Sequence, residues 1–151
     1  LAVTPRTFTA STAIMVKKDI AIRQDIELLI NSFYAKVRQD DELGIIFNEV
    51  VKMDWPHHTA IIVDFWETIL FDADLYRKNA MEPHFTVNKM YPLQHRHFQK
   101  WLQLFFATLD AYFEGPITTL AKTRAKGIAG IMEIKMDKIN QTTNELDTKK
   151  L

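Results

Sequence analysis

Five histidines, 19 aspartates and glutamates and no cysteine are the groups from which this 151-residue chain can build an acid/base or metal site. Without cysteine there is no disulfide framework, thiol nucleophile, iron–sulfur ligation, Cys-based zinc knuckle or thioether attachment of a macrocycle. Ser11 and Ser32 lie outside any Gly-x-Ser-x-Gly elbow, and Gly44, Gly115, Gly127 and Gly130 fit neither a dinucleotide fingerprint nor a P-loop. The absence of His-Glu-x-x-His and Glu-x-x-His argues against zinc peptidase and di-iron bundle sites. Each histidine can still offer one imidazole. On a helix the adjacent His57 and His58 stand about 100° apart, and His95 and His97 about 200° apart, so neither pair chelates one ion from one helix. Apolar spacing turns His58 inward, in step with Ile62 and Trp66, and sets His97 beside Phe98 with His95 turned away. His84 stands alone, directly after Pro83.

The elements that must position these groups are helices. Four glycines and five prolines are about half of what average usage (about 7% and 5%) supplies, which favours long helices with few turns. From Asp19 to about Gln39, Ile22, Ile26, Leu29, Ile30, Phe33, Tyr34 and Val37 recur at helical spacing. A short apolar turn of helix around Phe47 follows, from Leu43 to Val51. Asp54 is placed to cap the next helix, with Pro56 in its first turn and Trp55, His58, Ile62, Phe65, Trp66 and Ile69 as its buried stripe. The stretch from Asp72 to Pro92 reads as a loop with one short helix near Ala80 to Phe85, and a loop of that length is usually functional or disordered. Gln94 to Phe113 is strongly amphipathic, and Gly115-Pro116 separates it from a last helix. One domain is expected. Residues 1–14 read as a leader of no structural role ahead of a possible start at Met15, residues 15–139 as the domain, and residues 140–151 as a polar tail that frays.

Charge and hydropathy narrow the partners. Nineteen Lys plus Arg balance the acids, so no field holds a polyanion and nucleic acid is not expected. No stretch reaches the roughly 18 apolar residues of a membrane span, and the missing cysteines are compatible with a reducing cytoplasm. One imidazole facing an aromatic-lined apolar pocket is what a flat macrocycle needs, because most of its binding comes from burial. Haem fits that description and zinc does not.

Phe33-Tyr34 in NSFYAKV, Phe47 in LGIIFNEV, His58 ahead of Phe65-Trp66 in WPHHTAIIVDFW, Met81-Glu82-Pro83-His84, and His97-Phe98-Gln99-Lys100-Trp101-Leu102-Gln103-Leu104-Phe105 together resemble the truncated haemoglobins, specifically group III. The resemblance runs from about Asp19 to Met136. It implies an all-α, truncated globin-like two-over-two helical sandwich around haem b. His84 is then the iron ligand, and Phe47, Phe65, Trp66, Phe98 and Trp101 contact the cofactor. Tyr34 and Trp101 match the distal hydrogen-bond donors, His58 the distal histidine, and Ile62 walls the same pocket. Lys78-Asn79-Ala80-Met81 departs from the Gly-Asn-Pro-Met of many relatives, just ahead of the ligand. The implied function is binding of O2 and other diatomic ligands (NO, CO), with oxygen released slowly. An enzyme reading has bound oxygen converting nitric oxide to nitrate, or peroxide being turned over. Either needs a separate reductase, since the chain carries no flavin or nicotinamide motif. A cofactor-free helical module is the third reading, and it leaves the ordered pattern of aromatic and histidine residues to chance.

Overall fold

In the computed structural model, which describes residues 16–52 and 54–150, the first fixed point is a carboxylate. Asp19 accepts the backbone N–H groups of Ile117 and Thr118, both at 2.9 Å, and the Thr118 hydroxyl at 2.7 Å. It thereby satisfies the free N–H groups that open the last helix. Gly115 stands at φ 146° against the same carboxyl group, where a Cβ would collide with it. The expected leader, residues 1–14, lies outside the described residues.

Six α-helices follow in chain order: α1 (Arg23–Gln39), α2 (Leu43–Ile45), α3 (Trp55–Phe71), α4 (Met81–Met90), α5 (His95–Tyr112) and α6 (Pro116–Thr148). A π-helical turn, Ile46–Val50, extends α2. There are no strands among the described residues. Helix α1 packs on α3 and α5 on α6, with α1 against α5 and α3 against α6 joining the pairs. This is the two-over-two sandwich expected from the sequence. The short α4 stands apart and packs mainly on α6. No helix among the described residues is long and apolar enough to cross a membrane.

Several boundaries differ from the sequence reading for identifiable reasons. Helix α1 starts at Arg23 rather than Asp19, because the Asp25 carboxylate turns back to accept the N–H groups of Ala21 and Ile22. Helix α4 extends to Met90, where only a short helix to Phe85 was expected. Pro83 lies in its first turn, where a missing N–H breaks no intrahelical bond. Helix α6 continues to Thr148 through the stretch expected to fray, since no Gly or Pro interrupts it there. The buried line of α3 is Val63, Trp66 and Leu70, leaving Ile62, Phe65 and Ile69 half-buried on the adjoining face.

The core is organised around one ring. Phe105 is fully buried, stacks on Trp101 (5.2 Å between centroids, 5° between planes) and on Trp66 (4.9 Å, 24°), and meets Phe33 edge-on at 5.2 Å. Such aromatic pairs add roughly 0.5 to 1.5 kcal/mol each beyond the area they bury. They lock α5 to α1 and α3. Ile26, Leu29, Ile30, Val37 and Leu109 fill the space around them.

Burial tends to raise the Asp19 pKa, but the bonds from Ile117, Thr118 and Ile20 outweigh it and hold the group below its ordinary value. A depressed carboxylate stabilises the fold above its unfolded pKa, and that contribution is lost as pH falls through the folded value. Asp19→Ala is therefore expected to cost about 1 to 2 kcal/mol at neutral pH. Denaturant unfolding at several pH values checks this, and the gap to the parent should narrow in acid.

Candidate functional site

His84 lies one turn into α4, and its Nδ1 is 2.8 Å from the carbonyl oxygen of Ala80. Two ring nitrogens then have different tasks. Nδ1–H donates to that carbonyl, so the lone pair of Nε2 is free, and the ring cannot swing without breaking the bond. His84 is exposed to solvent, while the protein packed beside it depresses its pKa, opposed by the Ala80 carbonyl. The imidazole is thus neutral, oriented and unobstructed at Nε2, the three properties a metal ligand needs. Among the described residues no cluster of three or more His, Cys, Asp or Glu could hold a metal ion. His84 therefore fits an iron whose other bonds come from a macrocycle.

The other site residues come from α1, α3 and α5. His58 is half-buried, and its pKa is lowered first by burial and then by the nearby His84 and His57, whose protonation it would oppose in turn. His84 and His58, far apart in sequence, thus share one electrostatic environment. The Tyr34 ring is 6.2 Å from that of His58, edge-on. Burial drives the Tyr34 pKa far above that of an ordinary phenol, opposed by the nearby Trp101 indole N–H. Trp101 has only an N–H to give, so toward it Tyr34 can only accept, and the Tyr34 proton is free for another acceptor. Trp101 is aimed in turn by its stack on Phe105.

The other residues named from sequence divide. Ile62, Phe65, Phe98 and Trp101 are half-buried against the core, with surface left to offer a flat ligand. Phe47, on the π-helical turn, is 5.9 Å from Tyr34. Trp66 is a correction: it is 3% exposed and stacked on Phe105, so it is a core residue with no face for a cofactor. Adjacent residues on a helix point about 100° apart, and only Phe65 of this pair is left at the edge. His97 is structural. Its Nδ1 accepts the Gln94 N–H at 2.9 Å and caps α5, while its Nε2 is buried 3.9 Å from Glu42. His95 pairs with Glu133 on α6, and His57 is exposed.

Two features escaped the sequence reading. Trp55 opens α3 and lies against Tyr34 at 5.5 Å and His58 at 6.2 Å. A Trp one helical turn before the inward His was the available signal. The second is an amide pair. Asn88, buried one turn after His84, exchanges bonds of 2.9 and 3.2 Å with Asn140 of α6 and accepts the Leu93 N–H at 2.8 Å. This pair anchors the helix that carries His84. Nothing local in the sequence links it.

A short all-helical sandwich, with one oriented imidazole on α4 near His58 and an adjoining Tyr and Trp cluster, is the arrangement of a globin reduced in length. Comparison with known proteins agrees. No family model matches the chain. It is 30% identical over 110 residues to the Group 3 truncated hemoglobin ctb of Campylobacter jejuni subsp. jejuni serotype O:2, covering 71% of this chain and 84% of that protein. The crystal structure of the group III truncated hemoglobin from Campylobacter jejuni matches with a TM-score of 0.70 at 28% identity, over 80% of this chain and 95% of that one. The chain belongs to the truncated haemoglobins, group III. Membership makes it a globin-type haem protein that binds gases.

Asn140→Ala leaves Asn88 buried with one amide partner fewer, at a cost of about 1 to 3 kcal/mol. Hydrogen exchange checks it: the amides of residues 81–90 should exchange faster while those of α1 stay protected.

Proposed function

We propose that the chain holds haem b through His84 and binds O2, NO and CO on the side facing Tyr34, releasing oxygen slowly. When bound, the cofactor supplies an iron position that takes up a diatomic gas reversibly. The chain supplies the rest. His84 offers Nε2 from a neutral ring held by the Ala80 carbonyl. Phe47, Phe65 and Phe98 offer apolar surface, and Ile62 walls the distal side.

The observation that carries this reading is the Tyr34 hydroxyl, buried beside the Trp101 indole and His58 with no acceptor for its proton among the described residues. That proton is available to a ligand that gains negative charge. Trp101, whose indole N–H lies on the same side, orients Tyr34 or donates to the ligand as well. His58 is kept neutral by burial and by its histidine neighbours, so it covers the ligand without adding a positive charge.

A hydrogen bond to a charged acceptor contributes roughly 1.5 to 3 kcal/mol, or about ten- to a hundred-fold in affinity. Tyr34→Phe should raise the oxygen dissociation rate by about that factor, measured by stopped-flow displacement with CO. Trp101→Phe should raise it less, because the proton donor is still present. An unchanged rate in Tyr34→Phe would remove the basis of the reading. Slow release suits chemistry on the ligand or sensing better than transport.

A further inference from the structure

Between α1 and α3 lies a cleft of about 490 Å³, open to solvent. Arg23, Glu27 and Asn31 line one end, and Ala35, Arg38, Trp55, Thr59 and Ala60 the other. Tyr34 lines it too, and Tyr34 is also the residue that meets His58. One side chain therefore belongs both to the cleft and to the distal cluster.

The cover beside Tyr34 is Trp55, the first residue of α3, which is half-buried. Its ring lies against Tyr34 and His58. Over its ring sits the Arg38 guanidinium, 4.8 Å from the centroid. Arg38 is exposed and has no carboxylate partner among the described residues, whereas Arg23 at the other end is held by Asp64 and Glu67. A single cation over a half-buried Trp is a weak restraint.

We propose that this cleft is the port through which diatomic ligands reach the haem, with Trp55 as its flap and Arg38 as the latch. Ligands pass the Trp55 edge and arrive directly at the Tyr34 hydroxyl. The proposal rests on the haem reading, since it needs a destination behind Tyr34. A neutral diatomic is indifferent to the mixed charges of the rim. The small residues Ala35 and Ala60, facing each other from the two helices and both exposed, keep the port wide.

The test uses the full haem-loaded chain and follows bimolecular CO recombination after flash photolysis. Ala60→Trp and Ala35→Trp, both at exposed positions, should each slow recombination about tenfold, with CO absorption spectra like the parent's. Arg38→Ala should speed it about two- to five-fold, as expected for loss of an exposed cation–aromatic contact. Parent rates in both plugged variants overturn the proposal, and acceleration in His58→Ala alongside them places the port at His58 instead. A parent protein with no CO spectrum would mark failure of the haem reading itself.

Discussion

The stack of Trp101 on Phe105 is the contact on which the distal side depends. Phe105 has no freedom: it is fully buried and held by Phe33 and Trp66 from two other helices. A ring stacked 5° from parallel on it has its plane fixed, with its indole N–H near Tyr34. The hydrophobic core thus sets the orientation of a polar group. A change in the core would reach the ligand site through Trp101 before it unfolded the protein, because interiors packed at crystal density transmit shifts rather than absorb them.

The proximal side is organised on the opposite plan. Helix α4 shares little of the aromatic core and leans on α6, so polar bonds do the positioning. The Ala80 carbonyl sets the His84 tautomer, and the Asn88 and Asn140 amides hold the helix. A buried amide pair with satisfied partners specifies one register where apolar contacts would permit sliding. The two halves of the site are therefore rigid for different reasons.

Much of this was legible in the sequence, and the omissions follow a pattern. Helical spacing found the long helices, and the ordered aromatic and histidine motifs pointed to Tyr34, His58, His84 and Trp101, of which the structure sets Tyr34 against His58. Periodicity did not say which of two adjacent apolar faces of α3 meets the core, so Trp66 was read as a cofactor contact while Val63 and Leu70 were missed. The continuation of α4 from Phe85 to Met90 was missed because that stretch carries no sustained apolar period. The roles of His97, Asn88 and Asn140 depend on partners that only the folded chain supplies: a backbone N–H in one case, a residue on another helix in the other. The nearness of the Trp101 indole to Tyr34 depends on how α5 packs on α1, which no local sequence pattern encodes.

The central claim is that a single neutral imidazole, His84, holds the iron. Resonance Raman spectroscopy of the ferrous, ligand-free protein reads that bond directly through the iron–histidine stretch. The account predicts one such band, lost in His84→Gly and restored when free imidazole is added to that variant. A band that survives unchanged in His84→Gly, or its absence from a haem-loaded parent protein, would contradict it.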